Sequence, residues 1–360
     1  MTDLDYMTLA LHLAEQGRGR TSPNPKVGAL IVAADATVVG AGYHARAGEA
    51  HAEVRALEAA GRAATGATLY STLEPCCHVG RTGPCVERIH AAGIRRVVAA
   101  MQDPNPVVSG RGFQYLRAHG IEVTVGPGRS AAARMNREFL TFVSKRRPFV
   151  IAKIASSVDG CIAAAPGERT RLTGTAANRR VQALRAEVDA IGVGSGTVLA
   201  DDPLLTAREV YRDRPLTRVV FDRRLRTPPS SRLFSTLEAG PVIIMTAASS
   251  AAGQPERAAA LARAGARLEV VGGPLAAAVA RLAAWEITSL VIEGGATLMS
   301  AAWEADIIDY LQLYVTPAVL GSQGVRLFHE GGLSTTALFE ARAEVHGADV
   351  LIEGYVHRPD

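Results

Sequence analysis

Short apolar runs alternate with amphipathic, helix-length segments along almost the whole chain, which confines it to α/β architectures with largely parallel sheets. The alternation occurs twice. In the first series, Leu4 to Gln16 carries apolar residues at helical spacing and stops at Gly17, and VGALIV and TVVGAGY then read as two strands able to pair as a hairpin. HAEVRALEAAG reads as a helix closed by Gly61, ATLYST as a strand, PCVERIHAAG as a helix and RRVVAAM as a strand, with GFQYLRAHG and IEVTVG repeating the unit. In the second series, strands are expected at FVIAKIA, DAIGVG, TRVVFD, PVIIMT, RLEVVG, SLVIEGG and IDYLQLYVTP, with helices between most of them. The series meet at SKRRP, Ser144 to Pro148, a polar, charged stretch closed by proline. The expected domains are therefore 1–145 and 146–360, in keeping with a length of 360 residues, more than one core usually supports.

The net charge is +4, from 39 basic and 35 acidic residues, and the basic side chains are scattered. Such a balance weakly favours anionic partners without separating nucleic acid from small phosphorylated molecules, which need only a few arginines. Four cysteines, Cys76, Cys77, Cys85 and Cys161, are too few and too clustered for a disulfide scaffold, and metal binding suits them better. The opening residues, MTDLDYMTLALHLAEQG, carry acids where a secretory leader carries bases, and no apolar run reaches membrane-spanning length. A cytoplasmic location is expected.

The first series holds a pattern with chemistry in it. Cys76 and Cys85 each follow a proline, in TLEPC and GPC, and the second pair opens an expected helix. Proline is tolerated in a first helical turn, and the positive end of the helix dipole favours an ionised sulfur. Two thiolates neutralise Zn²⁺, and His51 as third ligand leaves one tetrahedral position open, the mark of a catalytic site, where zinc brings the pKa of water toward about 7. Glu53, two residues after His51, is placed to carry protons. Singly, His51 is an ordinary capping histidine, Glu53 a solvated helix acid, and the two cysteines with Cys77 and His78 a structural zinc site. Jointly, the H-x-E unit and both proline-cysteine pairs, in this order, match the pattern of zinc-dependent deaminases.

The cysteines are separated by CHVGRTGP, where most nucleoside and tRNA deaminases have two residues. An added loop must bulge from the metal site. Its His78 and Arg81 are candidates to meet a polar ring and a phosphate, joined by Asn24 of TSPNPKVG and His44 of GYHARAGEAHAE.

Across nearly the whole chain, TSPNPKVGALI, GYHARAGEAHAE, TLEPCCHVGRTGPC, AKIASSVDG, TVLADDPLLTAR and VIEGGATL, in that order, resemble the RibD family of bifunctional riboflavin-biosynthesis deaminase-reductases. The resemblance implies a cytidine-deaminase-like three-layer α/β/α domain followed by a dihydrofolate-reductase-like α/β domain. It implies zinc deamination of 2,5-diamino-6-(5-phosphoribosylamino)pyrimidin-4(3H)-one, then reduction of the ribosyl group to ribityl with NADPH. The partners implied are a small phosphorylated pyrimidine and NADPH, with no nucleic acid, no membrane and a homo-oligomer, dimer or tetramer. By the same resemblance Thr197 and Asp201 serve NADPH, and Arg185, Leu205, Arg208 and Glu293 serve the reductase substrate. Arginine suits a phosphoryl group through its bidentate fork. Lys153 and Ser156, with Asp159, fall in the cofactor-side strand and loop.

Gly294 and Gly295, with Thr297, end an expected strand before a helix, where backbone N–H groups can approach a pyrophosphate; the absence of G-x-G-x-x-G disfavours a Rossmann fold. Arg223 and Arg224, after TRVVFD, are candidates for the 2′-phosphate of NADPH. The chain departs from the family at GERTRLT, where Arg169 and Arg171 stand in place of a frequent serine and tryptophan, and at Cys77, where serine is frequent. Three other classes share some of these features: a tRNA or free-base deaminase with an unrelated second domain, a non-catalytic zinc-bearing module, and a reductase with a vestigial first domain. The long loop between the cysteines argues against the first.

Overall fold

Thr2 starts the first helix: its hydroxyl accepts the Asp5 N–H at 3.3 Å and its own N–H donates to the Asp5 carboxylate at 2.7 Å. This reciprocal capping box satisfies amides that the first helical turn leaves without partners. In a computed structural model describing residues 1–78, 83–327 and 337–359, contacts gather the chain into two units, Met1–Arg146 and Arg147–Asp360.

The first unit runs α1 (Asp3–Glu15), β1 (Gly28–Val32), β2 (Val38–Tyr43), α2 (Ala52–Ala60), β3 (Thr68–Ser71), α3 (Cys85–Ala91), β4 (Arg96–Ala99), α4 (Arg111–Ala118), β5 (Glu122–Val125), α5 (Arg129–Met135) and α6 (Arg137–Lys145). Its sheet has the order β2-β1-β3-β4-β5. Because strand side chains alternate between faces, Leu30, Val32, Tyr70 and Val98 pack with Tyr6, Met7, Ala10 and Ala132 on one side. Ala29, Ile31, Leu69 and Val97 pack with residues of α2, α3 and α4 on the other. The result is three layers, as the family likeness implies. Only β3, β4 and β5 run parallel, however; β1 is antiparallel to both neighbours. A tight hairpin forces β2 to reverse, and the α2 crossover then lays β3 parallel to β2 on the far side of β1.

The second unit runs β6 (Phe149–Ser157), β7 (Cys161–Ala163), α7 (Thr175–Glu187), β8 (Ala190–Gly194), α8 (Ser195–Asp201), β9 (Thr217–Phe221), β10 (Val242–Thr246), α9 (Ala248–Gly253), α10 (Pro255–Arg263), β11 (Ala266–Val270), α11 (Leu275–Arg281), β12 (Ser289–Ile292), α12 (Ala296–Glu304), β13 (Tyr310–Thr316), β14 (Val325–Arg326), β15 (Phe339–His346) and β16 (Asp349–Tyr355). Its sheet has the order β11-β10-β9-β8-β12-β6-β13-β16-β15, parallel as far as β13 and antiparallel beyond. Phe149 and Ile151 face one core and Val150 and Ala152 the other, so β6 is buried on both sides. Asp309 anchors its start, accepting two hydrogen bonds from Arg147, at 2.5 and 2.8 Å, and one from the Val150 N–H at 2.8 Å.

Each expected strand and the N-terminal hairpin occur. Elements appear that the sequence pattern does not announce, among them the short β7 and β14. α5 and α6 fill the end of the first unit, so SKRRP begins inside a helix, with the Ser144 hydroxyl donating to the Leu140 carbonyl at 2.6 Å. β15 and β16 close the second sheet; β15 is an edge strand exposed along nearly its whole length, so no buried face imposes an alternation. No helix among the described residues is long and apolar enough to cross a membrane.

Gly28 sits where α1 crosses β1, and a Cβ there would run into the Ala10 carbonyl. Gly28→Ala is expected to cost about 1–3 kcal/mol of stability by overpacking, measured as a lower midpoint in denaturant unfolding.

Candidate functional site

Two loop-to-helix junctions and one strand-end turn converge beyond the end of β3. His51 is the N-cap of α2, Cys85 the first residue of α3, and Cys76 lies in the turn leaving β3. The Nδ1 atom of His51 lies 3.3 Å from the Cys85 sulfur and 3.5 Å from the Cys76 sulfur, and all three donor atoms fall within 4.8 Å of one another. Zinc–ligand bonds of usual length at tetrahedral angles put donor atoms about 3.6 Å apart, so the set fits Zn²⁺ in spacing and in chemistry. Among the described residues it is the one group of three or more metal-type side chains so close together. The Cys85 N–H donates to the Cys76 sulfur at 3.3 Å. Hydrogen bonds from Cys85 hold the Cys76 thiol far below its ordinary pKa, helped by the His51 imidazole, which favours the thiolate a metal requires.

Glu53 occupies the first turn of α2 at 4 % exposure. Its carboxylate accepts the Ser71 hydroxyl at 3.3 Å and lies 3.8 Å from the Cys85 sulfur. Burial pushes its pKa up, as suits a group that must both take and give a proton. Around this centre the structure brings Asn24 and His44 together: the Asn24 amide nitrogen and His44 Nε2 lie 3.2 Å apart, and the His44 ring meets the His51 ring edge-on at 5.3 Å. His78 is half-buried beside the turn, with its Nδ1 lacking a hydrogen-bond partner among the described residues. Arg81 lies outside the described residues.

One residue of this region had no role in the sequence pattern. Glu74, at 3 % exposure, accepts backbone N–H groups from Asp103, Gly110, Gly112 and Phe113, which lie 29 to 39 residues further along the chain. No local spacing signals bonds of that reach.

Two cavities are formed by described residues of the second unit. One, of about 490 Å³, is lined by Gly194, Phe221, Met245 and Leu298, with Arg223, Arg224, Arg226 and Thr297 supplying polar groups. Thr297 in the first turn of α12 lines it, whereas Gly294 and Gly295, which lead from β12 into α12, do not; a mostly apolar cleft thus meets guanidinium groups and the start of a helix, a combination that fits a dinucleotide. The other, of about 430 Å³, is lined by Lys153, Arg169, Arg171, Arg179, Asp201 and Arg208, among others, and five of these six are basic. Burial lowers the Lys153 pKa, and its ammonium lies 5.6 Å from the centre of the Tyr314 ring.

Several expected residues sit differently from their neighbours in the motif. The Arg185 fork is taken up by Glu293, with bonds of 2.8 and 2.7 Å, and by the Thr206 carbonyl at 3.0 Å, so its bidentate partner is a carboxylate of the same chain. Burial would raise the Glu293 pKa, but the Arg185 charge holds it below the ordinary value. Glu293 makes no cap on α12. Leu205, at φ +54°, turns its side chain into the core, which leaves its backbone as the part able to meet a ligand. Ser156 is buried on β6 and Thr197 lies on α8, and neither lines these two cavities. Asp159 is tied to the Gly321 N–H at 2.8 Å and to the Ser157 hydroxyl, outside both cavities.

The two units thus define a deaminase-type domain with a zinc-fitting His-Cys-Cys set and a reductase-type α/β sheet. Residues 1–101 match the cytidine and deoxycytidylate deaminase zinc-binding region, and residues 148–352 match the RibD C-terminal domain. The chain is 41 % identical over 351 residues to riboflavin biosynthesis protein RibD of Escherichia coli, covering 94 % of each, and 39 % identical over 320 residues to that of Aquifex aeolicus, covering 89 % and 88 %. Among solved structures it is similar to Acinetobacter baumannii RibD, at a TM-score of 0.89 and 36 % identity. It is also similar to a Thermotoga maritima diaminohydroxyphosphoribosylaminopyrimidine deaminase/5-amino-6-(5-phosphoribosylamino)uracil reductase, at 0.85 and 32 %; each comparison spans 99 % of both chains. The chain belongs to the RibD family.

The Arg185–Glu293 pair is nearly buried, at 12 % and 11 % side-chain exposure. Glu293→Ala, which strands the guanidinium, is expected to cost about 3–5 kcal/mol, against less than about 1 kcal/mol for Glu15→Ala at the exposed Arg18 pair, compared by denaturant unfolding.

Proposed function

We propose that this chain is a bifunctional riboflavin-biosynthesis enzyme, with hydrolytic deamination in residues 1–145 and NADPH-dependent reduction in residues 146–360. The observation that carries it is the convergence of His51 Nδ1 and the Cys76 and Cys85 sulfurs beside the buried Glu53 carboxylate. His51, Cys76 and Cys85 would hold Zn²⁺, which as a Lewis acid makes water acidic enough to attack near neutral pH. Glu53 takes one proton from the attacking water at its carboxylate and passes it to the pyrimidine ring nitrogen, then carries the remaining hydroxyl proton to the amino group, so that the C2–N bond breaks, ammonia leaves and the C2 carbonyl forms. Asn24 and His44 orient the ring, while His78 and Arg81, from the loop between the cysteines, meet the ring and the phosphate.

In the second unit, Arg223 and Arg224 bind the 2′-phosphate of NADPH at the apolar cleft, and Gly294, Gly295 and Thr297 receive its pyrophosphate. Lys153 and Asp201, which line the basic cavity, and Ser156 and Thr197, which line neither cavity, are assigned to the nicotinamide end by family likeness. The basic cavity holds the phosphoribosyl substrate through Arg208, while Arg185, Glu293 and Leu205, which are not among the residues lining it, are assigned to the same substrate by family likeness. C1′ of the sugar becomes electrophilic when the ribosylamine opens to an imine, and hydride addition there gives the ribityl chain. Family likeness extends the proposal to a homo-oligomer, dimer or tetramer, in the cytoplasm.

Purified protein is supplied with the diaminopyrimidinone ribosyl phosphate, and ammonia release is followed with and without chelator. Glu53→Ala is expected to lower ammonia release by at least about 10²-fold, yet to consume NADPH when the aminouracil is supplied directly. Loss of both steps in a folded variant would sink the assignment of two independent sites. Arg223→Ala is expected to raise the KM for NADPH about tenfold or more while leaving that for NADH nearly unchanged, as steady-state kinetics with both cofactors would report.

A further inference from the structure

The Glu74 carboxylate is saturated by the backbone of a distant segment. Its Oε1 accepts the Gly112 N–H at 2.9 Å and the Phe113 N–H at 3.3 Å; its Oε2 accepts those of Gly110 at 3.0 Å and Asp103 at 3.1 Å. Gly110 is the N-cap of α4, has a left-handed backbone and offers no side chain, so the amides of Gly112 and Phe113 have no cap from their own helix. Glu74 supplies that cap from another part of the fold, and its charge is well placed against the positive end of the helix.

The other side of this anchor is the metal-binding turn. One residue separates Glu74 from Cys76, and that residue, Pro75, lies so close to α4 that a Cβ on Gly112 would strike its carbonyl. The Cys76 carbonyl accepts the Val86 N–H at 3.2 Å, and the Glu74 N–H donates to the Met101 carbonyl at 3.0 Å. The captured segment is itself braced: Asp103 accepts the Asn105 N–H at 2.8 Å, and Asn105 accepts the Val107 N–H at 3.1 Å. Asp103 is 6 % exposed; burial raises its carboxyl to about 6, with the Glu74 and Cys76 charges adding to that, which places it within electrostatic reach of the ligand sulfur.

We propose that Glu74 is a positioning residue of the deaminase site: it locks the Asp103–Phe113 segment against the turn that carries Cys76 and so sets the wall that the pyrimidine meets, while the three ligands hold the metal without it. The inference rests on the deaminase assignment. Glu74→Gln keeps the shape of the side chain but turns an NH₂ toward N–H donors, so two of the four amides lose their acceptor.

The test uses full-length, zinc-loaded protein. For Glu74→Gln the expected result is unchanged zinc content and unchanged NADPH consumption with the aminouracil, a deamination KM raised about tenfold or more, and a kcat within about threefold of wild type. Amide hydrogen exchange at Gly110, Gly112 and Phe113 is expected to quicken in the same variant. Wild-type KM in the variant overturns the proposal, and so does loss of zinc, which would make Glu74 a support of the metal. If wild-type protein releases no ammonia, the deaminase assignment falls, and the exchange experiment still decides the anchor: protection unchanged by Glu74→Gln overturns it. Should Glu74→Gln not fold, the exchange is measured on wild type alone, where slow exchange at the three amides supports the anchor and free-amide rates overturn it.

Discussion

Backbone amides pin the turn that leaves β3, and the chemistry of the first unit depends on that restraint. The first amide of α3 donates to the Cys76 sulfur, and amides of α4 and its approach donate to Glu74 two residues earlier. Both acceptors are buried or nearly so and take negative charge, and both lie where helix N-termini provide donors that would otherwise lack partners. A turn held at two points can present one sulfur at a set distance from a histidine on a third helix. Preorganisation of this kind is what a metal site with an open position demands, because the ligands, and not the substrate, must define its geometry.

The second unit is arranged around charge. Its basic cavity collects arginines from α7, from the loop before it and from the loop after α8, yet Arg185, also on α7, is neutralised by Glu293 at the end of β12. The pair joins helix to sheet and places a carboxylate near the Lys153 ammonium, whose burial lowers its pKa while Glu293 opposes the effect. A cluster of uncompensated arginines would be costly to bury; one internal ion pair lets the remaining cations face a ligand. Arg169 and Arg171, the departures from the family pattern, belong to that ligand-facing set.

Much of the fold was legible because strand and helix periodicities are local. The hairpin, the β3 and β4 runs and the buried strands of the second sheet follow from apolar spacing alone. β15 was not legible, since an exposed edge strand imposes no alternation, and α6 was hidden by a charged end that resembles a linker. In the site, His51, Glu53, Cys76 and Cys85 stood out because each lies at a junction with its own short motif. Glu74 lies inside one of those motifs, but its partners are remote, and so the motif does not announce them.

By itself the sequence determined which side chains are available and at which junctions: thiolates behind prolines, one in a strand-end turn and one at a helix start, an acid beside a histidine, arginines after strand ends. Tertiary structure decided their pairing. It turned the Arg185 fork to Glu293, sent the Leu205 side chain into the core and gave Glu74 to the amides of α4. The physical reason is that a residue's type and local spacing are properties of the chain, whereas hydrogen-bond partners, burial and electrostatic neighbours arise only when segments far apart in sequence pack together.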